Sequence, residues 1–340
     1  MSMFRANFSP LRRCLWLTAS LGLLLVGAAS AQICETGDGI AAPERAAFTA
    51  AAERYFDLLS KGDASSLKQN AISSLAGDFS SVENAVNDNH ENLAGTRPSL
   101  RSEFWLKLDG SAPLGRAEFL CGVFGKTGQT ANSAEFVLTN LAPGTYAVVM
   151  EDATTPKGPL VTTFVLVQQG ADWKLGGLYI KDSQAAGKDF NWYAEKAAGF
   201  KDKGQNRNAW FYYTEARNLA VPVPFMYTQA TDRIFDESEP LKPSDLPAEG
   251  TPVDLTGAGQ TYKLTQLYPL GIGQDFDLIV KYQAADVSDS IKTYDTNMAV
   301  IKALLAKYPE FRDGFAGVVA RAVEPSGKDY GSLAMMKDIK

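Results

Sequence analysis

Ala51-Ala52-Glu53-Arg54-Tyr55-Phe56-Asp57-Leu58-Leu59-Ser60-Lys61-Gly62-Asp63 is the stretch from which the fold is read. Ala51, Tyr55 and Leu59 recur every fourth residue, and Ala47 and Phe48 continue the stripe upstream, which is the spacing of a helix buried along one face. Pro43-Glu44 opens that helix, where the missing proline N–H costs nothing. Gly62 ends it, because glycine takes the left-handed C-cap conformation without strain. Asp63 then caps a shorter helix carrying Leu67.

Downstream the period changes. Phe104, Leu106 and Leu108 alternate with Trp105, Lys107 and Asp109, as in a strand. Further strand-like runs lie at 134–140, 144–152, 160–169 and 173–180, punctuated by Pro143-Gly144 and Gln169-Gly170. The last two runs read as a hairpin across Gly170-Ala171-Asp172. Helices followed by a mostly antiparallel sheet make an α+β plan.

The quoted helix with its Gly-Asp break, and the closing run Phe164-Val165-Leu166-Val167 with Trp173-Lys174-Leu175-Gly176-Gly177-Leu178-Tyr179-Ile180, resemble the NTF2-like (SnoaL-like) superfamily over about residues 43–182. The resemblance implies a curved sheet wrapped round the long helix as a cone whose mouth holds a small ligand. It nominates Tyr55, Trp105 and Tyr179 as an aromatic lining, the kind of surface small-molecule pockets use, with core filling as the other use of such residues. Enzymes of that superfamily usually place an Asp, His or Tyr inside the cone; the resemblance nominates Asp152 and Tyr179 for that role here, though neither falls in a recognisable motif.

Residues 187–226 read as a helical hairpin with a turn at Gly204-Gln205-Asn206. Tyr193, Ala197 and Phe200, then Ala209, Tyr213 and Ala216, resemble a single tetratricopeptide (TPR) repeat, with its closing proline one place late at Pro222. A lone repeat cannot bury its own apolar face, so it packs on its neighbours or on a partner. Residues 227–259 are rich in proline and charge and are expected as a semi-extended linker, with no ordered helix expected after Glu239. Residues 260–340 read as a small ββαββ domain: strands at 262–270 and 276–283, a helix with Ile291, Tyr294, Met298, Ile301, Leu305 and Tyr308 on one face, then a hairpin about Pro325-Ser326-Gly327. The expected domains are therefore 1–31, 32–182, 187–226, 227–259 and 260–340.

The first of these reads as a signal peptide. Arg5, Arg12 and Arg13 precede an apolar run from Leu15 to Val26, and Ala29-Ser30-Ala31 supplies an A-x-A cleavage site before Gln32. That run, about 12 residues, is short for a ~30 Å hydrocarbon core, although an uncleaved anchor is the alternative. The apolar core suits the general secretory route, and Arg12-Arg13 the twin-arginine one. Ile33 before Cys34 argues against a lipid anchor. Cleavage removes three arginines and no acid, taking the formal net charge from −6 to −9, which fits neither nucleic acid nor anionic lipid. The two cysteines that remain, Cys34 and Cys121, are expected to bond to each other in an oxidising compartment, with a buried free thiol at Cys121 as the alternative. The compartment is periplasmic or secreted, and no later segment is long and apolar enough to span a membrane.

No catalytic signature stands out. His90, the one histidine, sits among Asn87, Asp88, Asn89 and Glu91 and reads as a solvated helix residue. Asp232, Asp236, Glu237 and Glu239 lack calcium-loop spacing and read as a solvated acidic face. Gly37-Asp38-Gly39 begins a dinucleotide-like string, but no strand is expected before it. No metal and no cofactor are expected. The sequence points to an exported, non-catalytic binding or scaffolding protein of the bacterial cell envelope, with a protein partner through the hairpin or a small apolar ligand in the cone. The alternative is a cone-pocket enzyme, isomerase- or dehydratase-like, moving a proton on a small apolar molecule.

Overall fold

The computed structural model describes residues 31–123, 129–130, 133–248, 250–257 and 259–339. Residues 1–30, which carry the signal-peptide reading, lie outside them.

The chain is α+β and forms two packed units. The first begins with strand β1 (Gln32–Thr36), a single 3₁₀ turn and helix α1 (Ala42–Ser60). Pro43 sits in the first turn of α1, and Gly62 takes φ 71° just past its end. The Asp63 carboxylate then accepts from Ser66 N and caps α2 (Ala64–Gln69). Helices α3 (Ser73–Gly77) and α4 (Ser80–Leu93) complete the helical layer. A strand does precede Gly37-Asp38-Gly39, contrary to expectation, but it enters an antiparallel sheet and not the parallel βαβ unit that a dinucleotide loop requires.

Strands β2 (Ser99–Leu108), β3 (Leu114–Cys121), β4 (Ala134–Leu141), β5 (Gly144–Thr155), β6 (Gly158–Gln169) and β7 (Asp172–Asp182) follow. They sort into an antiparallel sheet β1-β2-β5-β6-β7 and a small sheet β3-β4-β8, where β8 is Met226–Tyr227. The large sheet is covered on both sides. Phe48, Tyr55, Phe56 and Leu59 of α1 pack on one face with Phe164, Leu166, Trp173 and Leu175. Phe104, Leu106, Tyr146 and Val148 on the other face meet Phe119 and Phe136 of the small sheet. Double burial explains why the central strands are near-continuously apolar, as in Ala147-Val148-Val149-Met150. A disulfide joins Cys34 on β1 to Cys121 on β3 and staples the two sheets.

The second unit starts with α5 (Phe190–Asp202) and α6 (Asn206–Ala220). This hairpin shares one core with the C-terminal sheet: Tyr193 and Tyr212 each pack on Phe276 at centroid distances of 4.9 and 5.0 Å, and Phe211 packs on Phe311 and Phe315. Its apolar face is therefore covered within the chain. Residues 227–259 are less extended than expected. Thr228 and Thr231 form a capping box that starts α7 (Gln229–Ser238), one 3₁₀ turn ends it at Leu241, and β9 (Val253–Gly257) joins the last sheet.

That sheet runs β13-β12-β11-β10-β9, with β10 (Gln260–Ile272), β11 (Asp275–Gln283), β12 (Gly317–Val323) and β13 (Asp329–Met335). Helix α8 (Ser290–Lys307) and the short α9 (Phe311–Gly314) connect β11 to β12, which pair in parallel, as a helical crossover permits. With β9 and the short α9 added the order is βββααββ, one strand and one short helix more than expected. Helix α8 buries Ile301, Leu305 and Tyr308 as expected, but its N-terminal half is rotated from the expected apolar face. Thr293 and Asn297 are buried, and Asn297 is satisfied by the Tyr282 hydroxyl and Ser332, while Ile291 and Tyr294 are exposed. Among the described residues no helix is long and apolar enough to cross a membrane.

Candidate functional site

The four residues nominated from the sequence fall on two opposite faces of the large sheet. Tyr55 and Trp105 lie on the helix-covered face. Tyr55 is fully buried, and its hydroxyl donates to the Trp173 carbonyl at 2.8 Å and also approaches the Asn70 carbonyl at 3.2 Å. It is a core side chain that ties α1 to β7, and burial raises the pKa of its phenol. Trp105 is partly buried against the same core, and its Nε1 has no partner among the described residues.

Asp152 and Tyr179 lie on the other face. The reason is local. The β6–β7 ladder changes register between Val165 and Leu166, opposite Gly176-Gly177. Trp173 and Leu175 face the helices before this bulge, and Leu178 and Ile180 face them after it. Simple alternation from Trp173 would have put Tyr179 inside; one extra residue turns it outward, against Phe225. On β5 it is Glu151 that shares the helix-facing side with Ala147, Val149 and Ala153, and Asp152 that points away.

Glu151 is the group that sequence reading missed. It is 3% exposed, and its Oε2 has no partner among the described residues. Burial, and then the charge of Glu53 on α1, push its pKa up to about 7. The alternating pattern of β5 contained the signal, because one of two adjacent acids on a doubly covered strand has to face inward.

Several clefts lie where the units meet, and two of them border residues nominated from the sequence. One, of 1120 Å³, is lined by Arg101, Phe104, Met150 and Asp152 from β2 and β5, and by Met226, Asp232, Asp236 and Glu237 across from them. Arg101 Nε pairs with Asp152 at 3.2 Å. Asp232 and Asp236 stand one helical turn apart on α7, and burial followed by the Asp236 charge raises the Asp232 pKa. The acidic run read as a solvated face thus borders this cleft, and Glu237 accepts from the Tyr213 hydroxyl. The second cleft, of 890 Å³, is lined by Tyr179, Lys181, Phe235 and Tyr268. Pro222, Met226 and Asp232 line both.

His90 is in neither cleft; its Nδ1 lies 3.1 Å from the Val86 and Asn87 carbonyls, and its ring covers Gly62. Among the described residues no group of three or more His, Cys, Asp or Glu is placed to hold a metal ion. No family model, no curated protein and no solved structure matches the chain.

Proposed function

We propose that this chain is an exported, non-catalytic binding or scaffolding protein of the bacterial cell envelope, and that it holds its ligand between its two units and not inside the first. In this reading residues 32–182 are an NTF2-like domain whose cone is filled, and α5–α6 is a TPR-like hairpin whose usual contact surface is spent on the C-terminal sheet. The carrying observation is the contrast between the packed interior around Tyr55 and the 1120 Å³ cleft that Asp152 lines. Concave sites with apolar floors and a few polar groups are where ligands bind, and Phe104, Met150 and Met226 provide such a floor here. The disulfide supports an oxidising location.

The proton-transfer alternative has the Glu151 carboxyl in its favour, since a pKa near 7 suits a general acid or base. Against it, Glu151 lines neither cleft described above.

A thermal-shift screen of small molecules and short peptides tests the reading. A ligand should raise the Tm of the wild type and not that of Ala230→Trp, which fills the cleft from α7. A ligand that shifts both equally binds elsewhere and refutes the cleft assignment. Turnover of a screened compound, lost in Glu151→Gln, refutes the non-catalytic reading.

A further inference from the structure

We propose that two copies of this chain dimerise through the free edge of β13, paired antiparallel about a two-fold axis at Ser332, so that their five-stranded C-terminal sheets become one. The dimer goes beyond the binding reading and does not depend on it.

A strand edge presents unpaired N–H and C=O groups, and chains guard it with proline, charge, bulges or cover. Three edges of the two five-stranded sheets are guarded in this way. β1 is stapled to β3 by the disulfide. β7 is covered by residues 70–72: the Ile72 N–H donates to the Leu175 carbonyl, and the Leu175 N–H to the Asn70 carbonyl, both at 2.9 Å. β9 is five residues long, follows Pro252, and has the Lys307 Nζ 3.5 Å from its Asp254 carbonyl. β13 has none of these devices. Its seven residues, Asp329 to Met335, include no proline, keep an unbroken register with β12, and carry their one charge at the first position. Among the described residues no strand pairs with its outer side.

The backbone fixes the register this edge accepts. Where β12 and β13 meet, the Glu324 N–H donates to the Lys328 carbonyl at 2.9 Å, and at the other end the Met336 N–H donates to the Ala316 carbonyl at 2.8 Å. Bonded pairs alternate with non-bonded ones along an antiparallel ladder, so Tyr330, Ser332 and Ala334 bond inward to β12. Asp329, Gly331, Leu333 and Met335 therefore turn their N–H and C=O groups outward. A two-fold at Ser332 sets Gly331 opposite the second copy's Leu333 and Asp329 opposite its Met335, so that all four residues exchange bonds. An axis at Gly331 or at Leu333 would pair only three of them. The side chains fit the same register. Leu333, 49% exposed, meets the bare Gly331 of the second copy, and Tyr330 on the helical face meets its Ala334, so large stands against small on both faces. The exposed Lys337 just past each strand comes to the Asp329 end of the other, placing opposite charges together. Apolar surface also borders the edge on the helical side. Asn297 of α8 donates to the Tyr330 carbonyl and to Ser332 Oγ. Tyr294, one turn away, and Ile291 are left 47% and 77% exposed. A self-complementary patch closes a dimer and goes no further.

Sedimentation equilibrium of the purified protein is expected to give twice the chain mass. Leu333→Lys puts a charge on the edge, and Gly331→Val fills the hollow that receives Leu333. A Cβ at Gly331 meets Arg321 Cγ at 3.5 Å and Val319 Cγ1 at 3.8 Å, which is ordinary contact, so the single chain keeps its fold. Each change acts twice across the two-fold and should weaken dimerisation by about tenfold or more. Residue-resolved amide exchange reads the register. As the protein is concentrated from monomer to dimer, the Gly331 and Leu333 amides should slow, while Ser332 and Ala334, already bonded to β12, should not change. A protein that stays monomeric up to millimolar concentration overturns the proposal. So does a dimer of undiminished affinity in both variants, or one that leaves the Gly331 and Leu333 amides unprotected. Should Leu333→Lys fail to fold, Gly331→Val carries the test alone. Each of these outcomes leaves ligand binding in the cleft, read as a shift in Tm, untouched.

Discussion

Replacing Glu151 with glutamine changes how stability depends on pH, and the structure sets the size of the change. The carboxyl ordinarily titrates near 4.5 and here titrates near 7. A folded-state pKa above the unfolded one means that the native protein binds the extra proton between those two values. Its contribution to stability is fully present below pH 4.5 and is lost as pH rises through 7. At about 1.36 kcal/mol per unit, the loss is about 3 kcal/mol between pH 4.5 and pH 8. Glutamine cannot ionise, so Glu151→Gln removes this term while other titrations cancel in the difference. Urea unfolding of both proteins at half-unit steps from pH 4.5 to 8 should therefore give a difference in ΔG that moves by about 3 kcal/mol in favour of the variant, with unchanged m. Glu53→Gln should shift the same window to lower pH, because Glu53 is the smaller of the two causes. A pH-independent difference would show that Glu151 titrates as an ordinary exposed carboxyl. A variant that loses ground as pH rises would mean that the ionised carboxylate has a native partner.

Other perturbations follow from the packing. Cys34→Ala with Cys121→Ala opens a loop spanning 87 residues and should cost up to about 4 kcal/mol in urea unfolding; dithiothreitol should destabilise the parent and leave the double variant unchanged. Tyr55→Phe removes the donor to the Trp173 carbonyl and should cost about 1–2 kcal/mol, with no change in cleft binding, since the hydroxyl lies in the core. Asn297→Ala strands the Tyr282 and Ser332 hydroxyls and should cost about 2–4 kcal/mol, read as a fall in the urea midpoint.

The periodicity of residues 43–62 and the glycine that ends it were enough to place α1, and alternation placed the β6–β7 hairpin, because both signals are local. The side each residue faces was less accessible. Tyr179 changes side through a bulge that Gly176-Gly177 allows but does not announce. Asp152 and Glu151 are adjacent acids, and only the register with β6 decides which is inside. Strand β1 was missed because five residues beside the expected cleavage site carry little pattern, and it is held by pairing with β2 and by the disulfide. The small sheet closes with β8, two residues arriving from beyond α6, a long-range pairing that no window of sequence contains. The α5–α6 hairpin announced its apolar faces, and its covering by Phe276, Phe311 and Phe315 depends on tertiary contact alone. The clefts follow from how the two units meet, so their lining was legible only where a residue had been nominated for another reason, as with Asp152.

The central claim of the proposed function is export to an oxidising compartment, where the staple between the sheets would form. Intact mass of the unreduced protein, recovered from cells expressing the full 340-residue chain, measures it directly. The account predicts a chain beginning at Gln32, two hydrogens lighter than its reduced form and unreactive to thiol reagents. A species that keeps Met1 and presents Cys34 and Cys121 as free thiols would contradict it.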